Sequence, residues 1–460
     1  MEVPRAPDHL SGWQRFGLFL LIPLILGFGV IVEMRGAFLQ HRWTDLTVFL
    51  RAAWAVQHGE DLYKVTDAKG LHYHYPPLLA IALIPLAEPS VGSGESGAVP
   101  FALSVGLWYL FSVFCVALGV HVLAKALEEE SPLLKQRSQR GNAVWWGLRV
   151  VPVLSCLPMI GFALSLGQVN TIWLALMCLM AAALVRGRSG QAGFWLAGAI
   201  CLKVLPVFLL VYPVWRRDVR CLAGCVGGLV LGLAIVPSLV LGPDRTLAYG
   251  REWAEVVLLP GFGLGSDRSR GEELLDAAAT QNQGLLTVFH HTMYLDRDMR
   301  PKVALPAVRL AATSIGGVLT LVTLLAAGWR RSGSRHSEAM FVGGLSVNML
   351  LLAPTGHPHY LVLLIPTIMA LLASQWGRGP AAEVEGKLRW LLAVNFVVFA
   401  VPLALESNLF FHLGLPMYCA VLFWLCGMLT LRDLRQGESL IVTPQAQGSV
   451  SVSHERKPAA

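Results

Sequence analysis

Residues 16–32 read FGLFLLIPLILGFGVIV and follow Arg5 and Arg15. A helix needs roughly 20 apolar residues to cross a bilayer, and this run with its flanks supplies them. No small-residue cleavage site comes after it, so the segment is expected to stay as a signal-anchor helix. Read outward from there, the chain repeats the pattern. Apolar runs at 14–32, 76–89, 101–126, 143–164, 168–186, 191–215, 219–242, 303–328, 338–353, 358–376, 388–405 and 410–431 make twelve candidate spans. The 460-residue chain is 55% hydrophobic and 14% charged, against about 25% charge in a soluble domain. The expected fold is an all-α polytopic membrane protein set in a lipid bilayer. The net charge of +7 is not a nucleic-acid footprint, because Lys and Arg cluster between apolar runs as they do at cytoplasmic flanks. The eight Cys show no CxxC or Cys/His ligand spacing, so neither a disulfide framework nor a zinc site is implied.

The positive-inside rule orients the C-terminal half. Arg330, Arg331 and Arg335 fall on one side with Arg378, Lys387, Arg389, Arg432 and Arg435; His357, His359 and Glu406 fall on the other. Counting back puts segments 33–75 and 243–302 outside. A conflict lies between them. Twelve helices leave Lys125, Lys135, Arg137, Arg140, Arg186 and Arg188 outside, against the rule. If 76–89 and 191–215 are re-entrant, the parity is kept, and Pro206 interrupts the second of these. Twelve helices is the favoured expectation. Residues 1–435 are expected to form the membrane domain, and 436–460, rich in Ser, Gln and Pro, a disordered cytoplasmic tail. No internal repeat is evident, which weighs against an inverted-repeat transporter.

Segment 33–75 holds Leu46, Phe49, Leu50 and Ala53 at helical spacing, which predicts a short amphipathic helix lying on the membrane surface. Its first turn carries Asp45. A carboxylate there can take the proton of an attacking hydroxyl, and the helix N-terminus helps keep it ionised. Acidic residues also decorate first turns without any chemistry. Lys203 sits inside an apolar run beside Pro206. A charge at that depth is costly and is usually kept for a partner such as a lipid phosphate, unless it snorkels to the headgroups. Gln168 and Asn170 put two amides at the mouth of a span, for a sugar or phosphate or for helix–helix hydrogen bonds. Asn282, Gln283, His290 and His291 bring amides and imidazoles to the second outer segment, where a merely solvated loop is the alternative. His357 and His359 open a late span, where an imidazole can hydrogen-bond a leaving phosphate or join an interfacial belt. Tyr63 and Tyr75 can stack on a sugar or rim a lipid groove. No DxD-type acidic pair follows Asp45, so no metal is implied, and no cofactor is expected.

The order of these pieces resembles a known family. Stretch 45–53, then Gly59-Glu60-Asp61-Leu62-Tyr63, Tyr75-Pro76-Pro77, Gly167-Gln168-Val169-Asn170, the run 203–206 ending in Trp215-Arg216-Arg217, Asn282-Gln283-Gly284 and stretch 354–360 follow one another as in glycosyltransferase family 87. The resemblance covers about residues 40–375. It implies a GT-C-type bundle that takes a sugar, mannose being best known, from a polyprenyl-phosphate donor. The acceptor would be a glycolipid or glycan on the outer face of a plasma membrane, in all expectation a bacterial inner membrane. It implies Asp45 as general base, Lys203 facing the donor phosphate, and His359, preceded by His357, at the leaving group. Two positions depart from the family pattern: His290-His291 stand where an Arg is expected, and Asn-Gln-Gly replaces Asn-Gln-Ser. The rival classes are a lipid-linked-sugar flippase or secondary transporter, and a non-catalytic scaffold.

Overall fold

The computed structural model describes residues 12–39, 44–67, 70–90, 92–140, 142–261, 263–267, 269–297, 299–331, 334–377 and 386–441. Regular structure among them is helical, apart from one isolated bridge between Thr66 and His72. Helix α1 (Gly12–Glu33) runs on through a π segment to Leu39, and α2 (Asp45–His58) and α3 (Pro77–Ala82) follow. Next come α4 (Phe101–Glu130), α5 (Pro132–Arg140), α6 (Asn142–Ser155), α7 (Leu157–Leu166), α8 (Asn170–Val185) and α9 (Ser189–Leu202). A 3-10 helix at Leu205–Leu210 leads into α10 (Val211–Arg216), then α11 (Val219–Val230) and α12 (Val236–Leu241). The second long loop region holds α13 (Pro243–Trp253), α14 (Leu259–Gly261), α15 (Gly271–Leu275) and α16 (Leu285–Met293). Helices α17 (Pro306–Ala327) and α18 (His336–Leu352) precede a 3-10 helix at Pro358–Leu364, then α19 (Ile365–Gly377), α20 (Gly386–Ala404), α21 (Leu409–His412) and α22 (Leu415–Ile441).

Seven helices among the described residues are long and apolar enough to cross a membrane alone, and α6 with α7 makes an eighth, bent by 61°. Pro158 at the start of α7 explains the bend, because it has no N–H to continue the ladder. The Asn395 amide donates to the Ser155 carbonyl at 2.8 Å, satisfying a group at the break. Helices α8 and α18 are shorter, and almost every residue of each is buried. They are covered by protein rather than by lipid.

Two of the twelve expected crossings do not form. Run 76–89 is a six-residue helix and a single 3-10 turn; the helix spans about 9 Å, too short to cross. Run 191–215 is a hairpin. Helices α9 and α11 run parallel, with Gly190 against Gly224, Gly193 against Cys221 and Ala197 against Gly228. The chain must therefore return between them, through the 3-10 helix and α10. Arg331 holds the two ends of this excursion together, donating to Ser189 Oγ at 3.0 Å and pairing with Asp218. Lys203 sits at the hairpin tip, about 21 Å in along the 14 residues of α9.

The hairpin removes the charge conflict. Arg186 pairs with Glu129 at 2.9 Å, the Arg335 N–H donates to Glu130 at 3.3 Å and Arg137 donates to the Trp376 carbonyl at 2.8 Å. Residues 129–137, 186, 335 and 376 thus share one end of the bundle. Arg216, Glu338 and Tyr212 lock that end: Arg216 meets Glu338 at 2.9 Å, and the Tyr212 hydroxyl donates to it at 2.6 Å. The basic loops gather together, as the positive-inside rule requires.

Helix α2 begins where expected, with Thr44 as N-cap and Asp45 in the first turn. It does not lie on the membrane surface. Leu46, Phe49, Leu50 and Ala53 are buried inside the protein, and so are Thr47, Val48, Ala52, Ala55 and Val56. The small and apolar residues between the expected stripe positions let a second face pack as well. Helix α22 continues to Ile441, past the expected start of the tail. Residues 442–460 and Arg378 lie outside the described residues.

Candidate active site

One cavity of about 1020 Å³ receives side chains from stretches far apart in sequence. Asp45 comes from α2, Tyr75 from the loop before α3, and Gln168 from the α7–α8 turn. Lys203 comes from the hairpin tip, and His357 and His359 from the turn after α18. Val204, Leu205, Val207, Phe208 and Leu258 give the lining an apolar part.

Lys203 ends α9 in an extended conformation, which turns its side chain out of the helix. Its ammonium lies 3.9 Å from the Tyr360 ring centroid and 5.6 Å from those of Tyr75 and Trp173. It donates to Asn170 Oδ1 at 3.3 Å. Aromatic faces stabilise a cation without neutralising it, so the charge stays available to an anion. Asn170 and Trp173 both stand on α8, one turn apart. Asp45 opens on the same space.

Gly167 sets how closely α2 approaches. Its φ is +67°, and a Cβ there would fall 2.7 Å from Leu46 Cβ. Its carbonyl accepts from Trp108 Nε1 at 2.8 Å. The amide turn is thereby pressed against the residue after Asp45.

The His357 and His359 rings stack at 5.3 Å with 10° between planes. His359 is 4% exposed, and neither ring nitrogen has a hydrogen-bond partner among the described residues. Gln168 Oε1 is orphaned in the same way. Buried polar atoms are nearly always partnered, so these mark unspent hydrogen-bonding capacity on the cavity wall. Burial, and then the Lys203 charge, pull His357 down to about 4, which keeps it neutral.

Asn282 reaches the cavity, but its amide is already used. Its Oδ1 accepts from Gly284 N at 3.1 Å and Gly356 N at 2.7 Å, and its Nδ2 donates to the Pro354 carbonyl at 2.8 Å. The Gln283 N–H adds a bond to the Gly356 carbonyl at 2.7 Å. This clamp fixes the turn that leads into His357. Its tightness accounts for Gly284, where a Cβ would sit 2.6 Å from the Ala353 carbonyl oxygen.

Five expected residues do not line the cavity. The Gln283 side chain donates to the Phe411 carbonyl at 2.9 Å, and His290 Nε2 to the Pro301 carbonyl at 2.8 Å. His291 stacks on His412 at 6.0 Å. The Tyr63 hydroxyl donates to the Tyr75 carbonyl at 3.1 Å and so props up the residue that does face the cavity. Asn170 stands behind Lys203 rather than on the wall. Conversely, His72, Glu273 and Arg309 line the cavity and were missed. Arg309 is the one charged residue in the α17 sequence, so the argument that singled out Lys203 would have found it. His72 and Glu273 are brought together only by the fold. Among the described residues, no group of three or more His, Cys, Asp or Glu is placed to hold a metal ion.

No curated protein matches the chain. Among solved structures, ArnT from Cupriavidus metallidurans bound to undecaprenyl phosphate is similar at 13% identity and a TM-score of 0.39. That likeness covers 91% of this chain and 78% of ArnT. Residues 73–354 match the family profile of glycosyltransferase family 87. The match spans more than half of the sequence, from the Tyr75 loop to the turn before His357, and the chain belongs to that family.

Proposed function

We propose that the protein transfers a hexose, mannose foremost, from a polyprenyl-phosphate carrier to a hydroxyl of a glycolipid or glycan. The reaction is assigned to the outer face of a bacterial plasma membrane, with a GT-C-type architecture. One observation carries this reading: a carboxylate (Asp45), a caged ammonium (Lys203) and a buried imidazole with free nitrogens (His359) share a cavity whose lining is partly apolar. An isoprenoid suits Val204, Leu205, Val207 and Phe208. Its phosphate suits Lys203 and Arg309.

The acceptor oxygen attacks the anomeric carbon from the face opposite the phosphate. Its proton passes to Asp45 as the new C–O bond forms. The bond from the anomeric carbon to the phosphate oxygen breaks, and its electron pair stays on the lipid phosphate. The product is inverted. Lys203 offsets the charge on the leaving phosphate, and neutral His359 donates a ring N–H to it. Holding donor and acceptor in line supplies much of the acceleration, and the base adds roughly 10²–10⁴.

The test is transfer from radiolabelled polyprenyl-phosphate mannose by the detergent-solubilised protein. Turnover without any gradient excludes a pure transporter. Asp45→Asn should lose transfer and keep donor binding; substantial residual turnover removes Asp45 from the role.

A further inference from the structure

A carboxylate and two imidazoles meet on the cavity wall outside the machinery just described. Glu273 Oε1 lies 2.7 Å from His72 Nδ1, and its Oε2 accepts from the His72 backbone N–H at 3.1 Å. His74 Nε2 lies 3.3 Å from the same Oε2, but is not aligned to bond it. All three side chains are partly open, at 27% for His72, 23% for His74 and 19% for Glu273.

The loop does not need Glu273 to stay in place. Trp253 Nε1 donates to the His74 carbonyl at 3.2 Å, and Arg270 donates to the Tyr73 and Tyr63 carbonyls. The Leu71 N–H is held by Asp67 at 2.9 Å. The carboxylate is thus oriented by His72, with His74 beside it still able to bond a ligand.

We propose that Glu273, flanked by His72 and His74, binds neighbouring hydroxyls of a neutral sugar on the acceptor. This rests on the transferase reading above. A carboxylate accepts two hydroxyl donors from a vicinal diol, and an imidazole can give or take a third bond. The same negative charge turns away a phosphate, which belongs at Lys203 and Arg309. The Tyr75 ring, also on the wall, offers an apolar platform for a sugar face.

The test uses full-length protein in lipid nanodiscs, with octyl α-mannoside as the sugar probe and octanol as the probe without a diol. Glu273→Gln and His74→Gln should weaken equilibrium binding of octyl α-mannoside about tenfold or more. With polyprenyl-phosphate mannose as donor, KM for octyl α-mannoside should rise with little change in kcat. The loss should exceed the loss for octanol by a similar factor. Binding that is indifferent to Glu273 overturns the proposal, as does an equal loss for both probes together with a fall in thermal stability. Glu273-dependent binding by a protein that transfers nothing would uphold the sugar site and refute the donor reading instead.

Discussion

The tip of the α9 hairpin and the loop around α16 are built from similar residue types and do opposite things. At the tip, Lys203 is surrounded by rings and one amide, which leave its charge exposed to the cavity. Around α16, Gln283 Nε2 and His290 Nε2 donate to the carbonyls of Phe411 and Pro301, away from the cavity, and Asn282 spends its amide on the neighbouring turn. Amides and imidazoles in a polar loop therefore say little by themselves. What separates the two regions is which side chains open on the cavity: Lys203 and His359 line it, and Gln283, His290 and His291 do not.

Substitutions can break or sharpen that contrast. The largest effect is expected at Asp45, where Asn should lower kcat by about 10²–10⁴ in the radiolabel assay. Lys203→Ala should follow, raising KM for the polyprenyl-phosphate donor about 10- to 100-fold through loss of a charged contact. On the scaffold side, Asn282→Ala strands the buried N–H groups of Gly284 and Gly356. The expected cost is about 1–3 kcal/mol for each, read as a lower unfolding midpoint in detergent.

Acid should act more mildly. Burial draws both His74 and His357 down to about 4, with Glu273 opposing the effect at His74. In the unfolded chain both titrate near 6.5. Between about pH 6.5 and 4 the unfolded state then binds more protons, so the stability from these two rings is complete above that window and is lost as pH falls through it. The midpoint should drop across the window, and His357→Gln should flatten the slope. The smallest effect is expected at His291, which packs on His412. His291→Gln should leave kcat/KM within about threefold; a loss matching that of Lys203→Ala would erase the distinction between the two regions.

The sequence made Asp45 and Lys203 legible for different reasons. The α2 start is local, written in Thr44 and the apolar spacing after it. Lys203 stands out because a charge in an apolar run is rare. Hydropathy says how apolar a segment is but not what covers it, so it does not tell α18, surrounded by protein, from a helix that faces lipid. The same limit left the hairpin as the less favoured alternative for 191–215, although Pro206 marked its interruption. The Glu273–His72 pair joins residues 201 positions apart, and no spacing rule reaches that far.

Gly167 carries one last implication. Leu46 rests where a methyl group would otherwise be, so the reach from the proposed base to the donor is gauged by a residue without a side chain. Even alanine would press on Leu46 and push α2, with Asp45, away from the α7–α8 turn. A position that contributes no functional group is thus expected to be among the least replaceable in the molecule.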